Sequence, residues 1–163
     1  MCTIIQATKQ DAIVIHQLVH QIYYPTYKDI LSVEQINFML HKSYTEEALK
    51  DAMASGQDFF ILWADINLPI GFMSVAQTTT DILRIEKLYL LPSTQGKGYG
   101  LRFINFALEE AKKRNLTTLE LNVNRGNKAY HFYLKQGFTV SREVDIPYYG
   151  YVLDDYVMQK PVT

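Results

Sequence analysis

The chain has 163 residues, enough for one well-buried core and too few for two ordinary domains, so residues 1–163 read as one domain. Sixteen Lys and Arg against seventeen Asp and Glu give a formal net charge of −1, without the basic excess that a nucleic-acid partner requires. Apolar runs stop well short of a membrane span, Met1-Cys2-Thr3-Ile4-Ile5-Gln6 lacks a signal-peptide pattern, and the only cysteine, Cys2, excludes an internal disulfide, so a cytoplasmic protein without a membrane partner is expected.

Residues 3 to 8 alternate weakly and predict a strand. Asp11 then offers a cap for a helix whose apolar face is Val14, Ile15, Leu18, Val19 and Ile22, and Pro25 is expected to end it. Ser32 precedes a second helical run with Val33, Ile36, Phe38, Met39 and Leu40; Thr45 with Glu46 and Glu47 opens a third that stops near Gly56. From Phe59 the period changes to that of strands: 59 to 64, 70 to 75 and 82 to 91, joined by Asn67-Leu68-Pro69 and Thr78-Thr79-Thr80-Asp81 as an antiparallel meander. Leu101, Ile104, Phe106, Ala107, Leu108 and Ala111 recur at helical spacing, with Asn115 as a C-terminal cap. A strand over 117 to 123 follows, then a short helix over 128 to 136 stopped by Gly137. Strands over 138 to 146 and 151 to 158 close the chain around Pro147-Tyr148-Tyr149-Gly150. Two strands joined through a helix form a parallel pair inside an otherwise antiparallel sheet.

The most informative stretch is Leu88-Tyr89-Leu90-Leu91-Pro92-Ser93-Thr94-Gln95-Gly96-Lys97-Gly98-Tyr99-Gly100, where an apolar strand runs into a glycine-spaced loop that opens a helix. Helix N-terminal amides carry a partial positive charge, and glycines let the backbone approach closely, so the junction suits a phosphate. A nucleoside-triphosphate loop would need Ser or Thr directly after the Lys, and here Gly98 follows Lys97. A dinucleotide fingerprint would need a wholly parallel sheet.

Two motifs carry a family resemblance. Gln95-Gly96-Lys97-Gly98-Tyr99-Gly100 after Leu88-Tyr89-Leu90 matches a Gln/Arg-x-x-Gly-x-Gly/Ala signature. Asn127-Lys128-Ala129-Tyr130-His131-Phe132-Tyr133-Leu134-Lys135-Gln136-Gly137-Phe138 is similar to an Asn...Ala...Phe-Tyr...Gly-Phe segment. With the order of elements, these resemble the GCN5-related N-acetyltransferase (GNAT) family over essentially the whole chain. The fold implied is α/β (α+β): a mixed, mostly antiparallel sheet of about seven strands with a central splayed parallel pair, flanked by helices. The one departure is at the position three before Ala129, where the family commonly has Asn and this chain has Gly126, between Asn124 and Asn127.

The resemblance implies acetyl-CoA as co-substrate, its pyrophosphate on the amides of Gln95, Gly96, Lys97, Gly98, Tyr99 and Gly100. The pantetheine arm would lie along the strand at Leu88, Tyr89 and Leu90, with the Leu90 amide polarising the thioester. Asn127 either reaches the cofactor or only caps its helix. Tyr133 falls where the family often keeps a tyrosine near the sulfur, which makes it the general acid. Glu86 is the expected base, because strict alternation puts it on one face with Leu88 and Leu90; a solvated residue paired with Arg84 or Lys87 is the other reading. Asp145, Asp154 and Asp155 are held in reserve.

The acceptor side rests on the aromatic clusters Tyr23-Tyr24-Pro25-Thr26-Tyr27 and Tyr148-Tyr149-Gly150-Tyr151, both placed in loops. Tyr27, Glu34 and Tyr149 are expected to bind a cationic amine, with packing or a dimer contact as the alternative for any one tyrosine. The closing segment 150–160, with Thr26-Tyr27 and Ser32-Val33-Glu34-Gln35, is similar to the PaiA-type polyamine-acetylating branch of that family. The resemblance therefore implies acetyl transfer to a primary amine in a ternary complex, with a polyamine-like acceptor. The alternatives are a peptide N-terminus as acceptor, or a catalytically silent acyl-CoA sensor. His16 and His20 stand one turn apart without the Glu of a zinc-protease helix, so no metal is expected. Exposed aromatics in the last hairpin make a homodimer a further expectation.

Overall fold

A computed structural model describes residues 2–163. Its strands are β1 (Thr3–Gln6), β2 (Asp58–Asp65), β3 (Leu68–Gln77), β4 (Ile82–Leu90), β5 (Thr118–Asn124), β6 (Thr139–Tyr148) and β7 (Tyr151–Pro161). The helices are α1 (Ala12–Tyr27), α2 (Val33–Ser43), α3 (Glu46–Ala54), α4 (Tyr99–Lys113) and α5 (Ala129–Lys135). All the strands join one sheet in the order β1-β2-β3-β4-β5-β7-β6. Neighbours are antiparallel except β4 and β5, whose connection runs through α4.

The sheet has an apolar layer on each face. On one, Phe103, Ile104, Ala107 and Ala111 form the inward stripe of α4, and they pack with Tyr133 of α5 against Met73, Val75, Leu83, Ile85, Leu119 and Leu121. On the other, Ile15, Leu18, Val19 and Ile22 of α1, with Ile36 and Leu49, cover Phe59, Ile61 and Phe72. Ser32 and Thr45 start α2 and α3 by accepting the amides of Gln35 and Ala48, each at 3.1 Å. Asn115, at φ +58°, sits just beyond α4 in the left-handed conformation that ends a helix.

Three local expectations need correction. Pro25 does not end the first helix: α1 continues to Tyr27. A proline in the last turn forfeits one backbone bond, and here the Thr26 hydroxyl donates to the Ile22 carbonyl at 2.8 Å while the Lys28 amide reaches Tyr24 at 2.9 Å. Tyr23 and Tyr27 are therefore helical, not loop residues. Second, the first strand stops at Gln6, and the Asp11 carboxylate accepts the Thr8 amide at 2.8 Å, closing the turn before α1. Third, β3 already begins at Leu68. Pro69 is tolerated inside it because the register with β2 slips on both sides of its partner Trp63.

The last hairpin turns through Tyr149 and Gly150 alone, at φ +47° and +87°, with Tyr148 facing Tyr151. Two left-handed residues in a two-residue loop match the right-handed twist of the flanking strands.

Candidate active site

β4 and β5 are paired only from Ile82 and Thr118 to Ile85 and Leu121, although β4 runs on to Leu90 and β5 to Asn124. Beyond that point the strands part, and a cleft of about 960 Å³ opens between them. It runs from Gln95, Gly96, Gly98 and Gly100 at one end to Tyr23, Tyr27 and Tyr44 at the other, past Leu88, Leu90 and Tyr133.

A bulge prepares the β4 edge of this cleft. Ser74 faces Lys87 while the next residue, Val75, faces Ile85, so Glu86 is the extra residue on β4. One inserted residue reverses the alternation that follows. Leu88 and Leu90 join Leu83 and Ile85 in the layer under α4, whereas Lys87 and Tyr89 point to the opposite face. The backbone is re-aimed with them. The Leu91 amide is spent on the Ile70 carbonyl at 2.8 Å, so period-two alternation turns the N–H and C=O groups of Leu88 and Leu90 away from β3 and into the cleft. The expectation that Glu86 shares a face with Leu88 and Leu90 fails for the same reason. Glu86 pairs instead with Arg84 Nε at 3.1 Å.

At the loop end, Gly96 and Gly98 hold φ +78° and +86°, and a Cβ at either would meet nothing within 4 Å. Glycine is needed there for conformation, not for space, and the result is an open turn leading into the first amides of α4. That cradle fits an anionic group. Gly100 is different: a Cβ would lie 3.0 Å from Phe132 Cζ, so the start of α4 rests on the α5 ring next to Tyr133. Asn127 lines the cleft, and its Oδ1 accepts the Ala129 amide at 2.9 Å, closing the turn that leads into α5. Lys97 is exposed, and neither it nor Tyr99 lines the cleft.

Tyr133 is 8% exposed, between the rings of Phe132 and Phe138, and burial pushes its hydroxyl pKa up to about 12. Across the cleft, the Tyr27 and Tyr89 hydroxyls share a hydrogen bond of 2.8 Å, and the Tyr23 ring lies 4.7, 5.2 and 5.6 Å from those of Tyr27, Tyr44 and Tyr89. Burial raises the pKa of all four. Arg84 Nη1 also pairs with Glu120 at 2.9 Å, and Glu120 accepts from Gln159 at 2.9 Å. Lys87 donates to Gln57 at 3.0 Å, and burial lowers its pKa.

An aromatic bridge reaches the tyrosine end of the cleft through Tyr148. Phe38 of α2 lies 5.9, 5.5 and 5.7 Å from the rings of Tyr148, Tyr149 and Tyr151 in the last hairpin, and Ser43 meets the Tyr148 hydroxyl at 3.4 Å. Tyr149 belongs to this bridge, under Lys42, and does not line the cleft; Glu34, in the exposed first turn of α2, does not line it either. Tyr44, Lys87 and Asn122 do line it and carried no sequence signal, because their neighbours come from distant elements. His16 and His20 each spend Nδ1 on a backbone carbonyl, of Tyr44 and His16, at 2.7 and 2.8 Å.

Over 80 residues, 49% of this chain and 52% of the other, the sequence is 35% identical to the [ribosomal protein bS18]-alanine N-acetyltransferase of Haemophilus influenzae. An uncharacterized N-acetyltransferase of Methanocaldococcus jannaschii is 30% identical over 104 residues, 60% of this chain and 46% of that one. The chain thus spans about half the length of these curated relatives. The PaiA N-acetyltransferase of Thermoplasma acidophilum, solved in complex with coenzyme A, has the same fold, with a TM-score of 0.84 over 99% of both chains at 24% identity. The sequence profile described as acetyltransferase (GNAT) domain matches residues 27–149, from the tyrosine that ends α1 to the turn of the last hairpin. That span takes in the bulged strand, the glycine turn and α5, and the chain belongs to the GNAT acetyltransferase family.

Proposed function

We propose that this protein is an acetyl-CoA-dependent N-acetyltransferase that moves the acetyl group directly to a primary amine, with both substrates bound together. The observation that carries the reading is the continuity of the cleft: one opening joins an anion cradle, a strand edge with free amides and an aromatic pocket. The amides from Gln95 to Gly100 would hold the pyrophosphate. The freed groups of Leu88 and Leu90 would pair with the pantetheine arm as an added strand does, and the Leu90 amide would polarise the thioester carbonyl. Tyr133 supplies the proton for the departing thiolate. A phenol pushed up to about 12 stays protonated at working pH, but giving its proton to a thiolate of ordinary pKa, about 8.5, is roughly a thousandfold or more uphill. The transfer therefore runs in concert with proton loss from the newly acylated nitrogen, which refills the phenol.

The acceptor we favour is a small polyamine-like amine. The Phe38 bridge to the last hairpin roofs the acceptor end, which suits an amine that enters end-on better than a chain that passes through. Tyrosine faces with Asp29 and Asp155 at the same end suit a cation. A peptide N-terminus also enters end-on, and the similarity to an alanine N-acetyltransferase favours it as the second reading. Coenzyme A release is the test, with acetyl-CoA and a panel of spermidine, spermine, diamines, aminoglycosides and N-terminal peptides. Release with polyamines supports the first reading, and release with peptides alone the second. Acetyl-CoA binding without release by any amine would leave a silent sensor.

A further inference from the structure

Asn122 stands one residue past the last residue of β5 that pairs with β4, at the point where the sheet splits. Its Nδ2 donates to Asp155 Oδ2 at 3.3 Å, while its Oδ1 is buried and has no hydrogen-bond partner among the described residues. The reverse amide orientation would set an oxygen against the Asp155 carboxylate, so this neighbour fixes which way the orphaned acceptor points. Asp155 faces Asn124 across the β5–β7 pair, and both Asn122 and Asp155 line the cleft on the wall opposite Leu88 and Leu90. An unmet buried acceptor has given up its water without a replacement donor, which is costly. Next to a carboxylate, in the lining of the cleft, it calls for a cationic donor.

We propose that Asn122 Oδ1 and the Asp155 carboxylate receive the ammonium group of the acceptor, and that Asp155 takes its proton before attack. The inference rests on the transfer reading above and names the base that reading lacks. Glu86 is poorly suited to the task because Arg84 Nε already holds its carboxylate. Asp155 is partly buried, which raises its pKa toward that of the amine; the Asn122 amide, Arg84 and Arg125 pull the other way, and Asp154 adds to the rise. The Tyr27 hydroxyl on α1 also faces it, and on β6 Glu143 and Asp145 flank its partner Val144, pointing to the other face beside Arg125.

The protons balance. The ammonium gives one proton to Asp155, and the neutral nitrogen bonds to the acetyl carbon as the carbon–sulfur bond breaks. Tyr133 protonates the sulfur, the nitrogen's second proton returns to Tyr133, and Asp155 releases its proton to water.

The test is the pH profile of kcat/KM for an amine the wild-type protein acetylates, in Asp155→Asn, Asn122→Ala and Glu86→Gln, with acetyl-CoA affinity measured alongside. Asp155→Asn is expected to lose about 100-fold or more in kcat/KM and to flatten the acidic limb at unchanged acetyl-CoA affinity. Asn122→Ala is expected to raise the acceptor KM and to move the limb to higher pH, because the carboxylate loses a stabilising donor. Glu86→Gln keeps the limb whatever its effect on rate. An unaltered limb in Asp155→Asn, or its loss in Glu86→Gln, overturns the proposal while the transfer reading stands. If Asp155→Asn fails to fold, an unshifted limb in Asn122→Ala overturns it alone. A wild-type protein that acetylates no amine overturns both.

Discussion

Tyr27 on the last turn of α1 and Tyr89 in β4 join hydroxyls at 2.8 Å, tying that helix to the strand that opens the cleft. Tyr23 packs against both rings and Phe72 against that of Tyr89, which fixes the two rings in place. Tyr27→Phe is expected to lower unfolding free energy by about 1–2 kcal/mol, read from urea midpoints at unchanged slope. In a double-mutant cycle with Tyr89→Phe the two losses should fall short of additivity by about 0.5 kcal/mol or more. Additive losses would mean the two hydroxyls do not interact.

Gly71 and Gly100 are predicted to differ in kind. A Cβ at Gly71 would lie 2.6 Å from the Tyr89 carbonyl oxygen and from Leu90 Cδ2, so backbone itself must move. Gly71→Ala should therefore cost stability, on the order of the 1–3 kcal/mol of an overpacked core. A Cβ at Gly100 meets only the tip of the Phe132 ring, at 3.0 Å, which can swing but shifts the neighbour of Tyr133. Gly100→Ala should keep its unfolding free energy within about 0.5 kcal/mol of wild type and lose turnover instead. Equal stability losses in the two variants would remove the distinction.

Much of this architecture is legible in the sequence because it rests on local signals. Ser32 and Thr45 announce helix starts, the α4 stripe has helical period, and three glycines in five residues mark the anion cradle. The illegible parts depend on partners far away along the chain. Pro25 is a local misreading instead: it falls in the last turn, where the helix loses only the bond to the Gln21 carbonyl and the Lys28 amide still reaches Tyr24. The Glu86 bulge inverts the strand that matters most, and alternation cannot reveal it because Glu86 is as ordinary in a regular strand as in a bulged one. Its existence is set by the register against Ser74 and Val75. Asn122 looks like any polar strand residue until β7 brings Asp155 beside it.

Tyr133→Phe separates chemistry from binding. The ring stays between Phe132 and Phe138, and only the hydroxyl is lost, so acetyl-CoA affinity should change by less than about twofold. Turnover should fall by about 100- to 10,000-fold, the usual worth of a positioned general acid. Equal turnover in the two proteins would take Tyr133 out of the mechanism and leave proton delivery to water.

Three buried tyrosines, Tyr23, Tyr44 and Tyr133, and two half-buried ones, Tyr27 and Tyr89, make stability steeply sensitive to alkali. Burial raises the pKa of each in the folded state. Below about pH 10 folded and unfolded chains alike keep these protons, and the tyrosines add no pH dependence. Above it the unfolded chain ionises first and binds fewer protons than the native state, so stability falls with rising pH, by up to roughly 1.4 kcal/mol per pH unit for each tyrosine. Lys87 works in the opposite sense. Its folded pKa is lowered by burial, so the unfolded chain binds the extra proton and stability rises with pH until about 10.4. Thermal midpoints should accordingly hold or rise gently toward pH 10 and then drop, with phenolate absorbance from these residues appearing together with unfolding. Lys87→Met should flatten the rise and leave the drop. Phenolate absorbance that grows smoothly while the fold persists would show that these hydroxyls reach water, and that the aromatic end of the cleft is open.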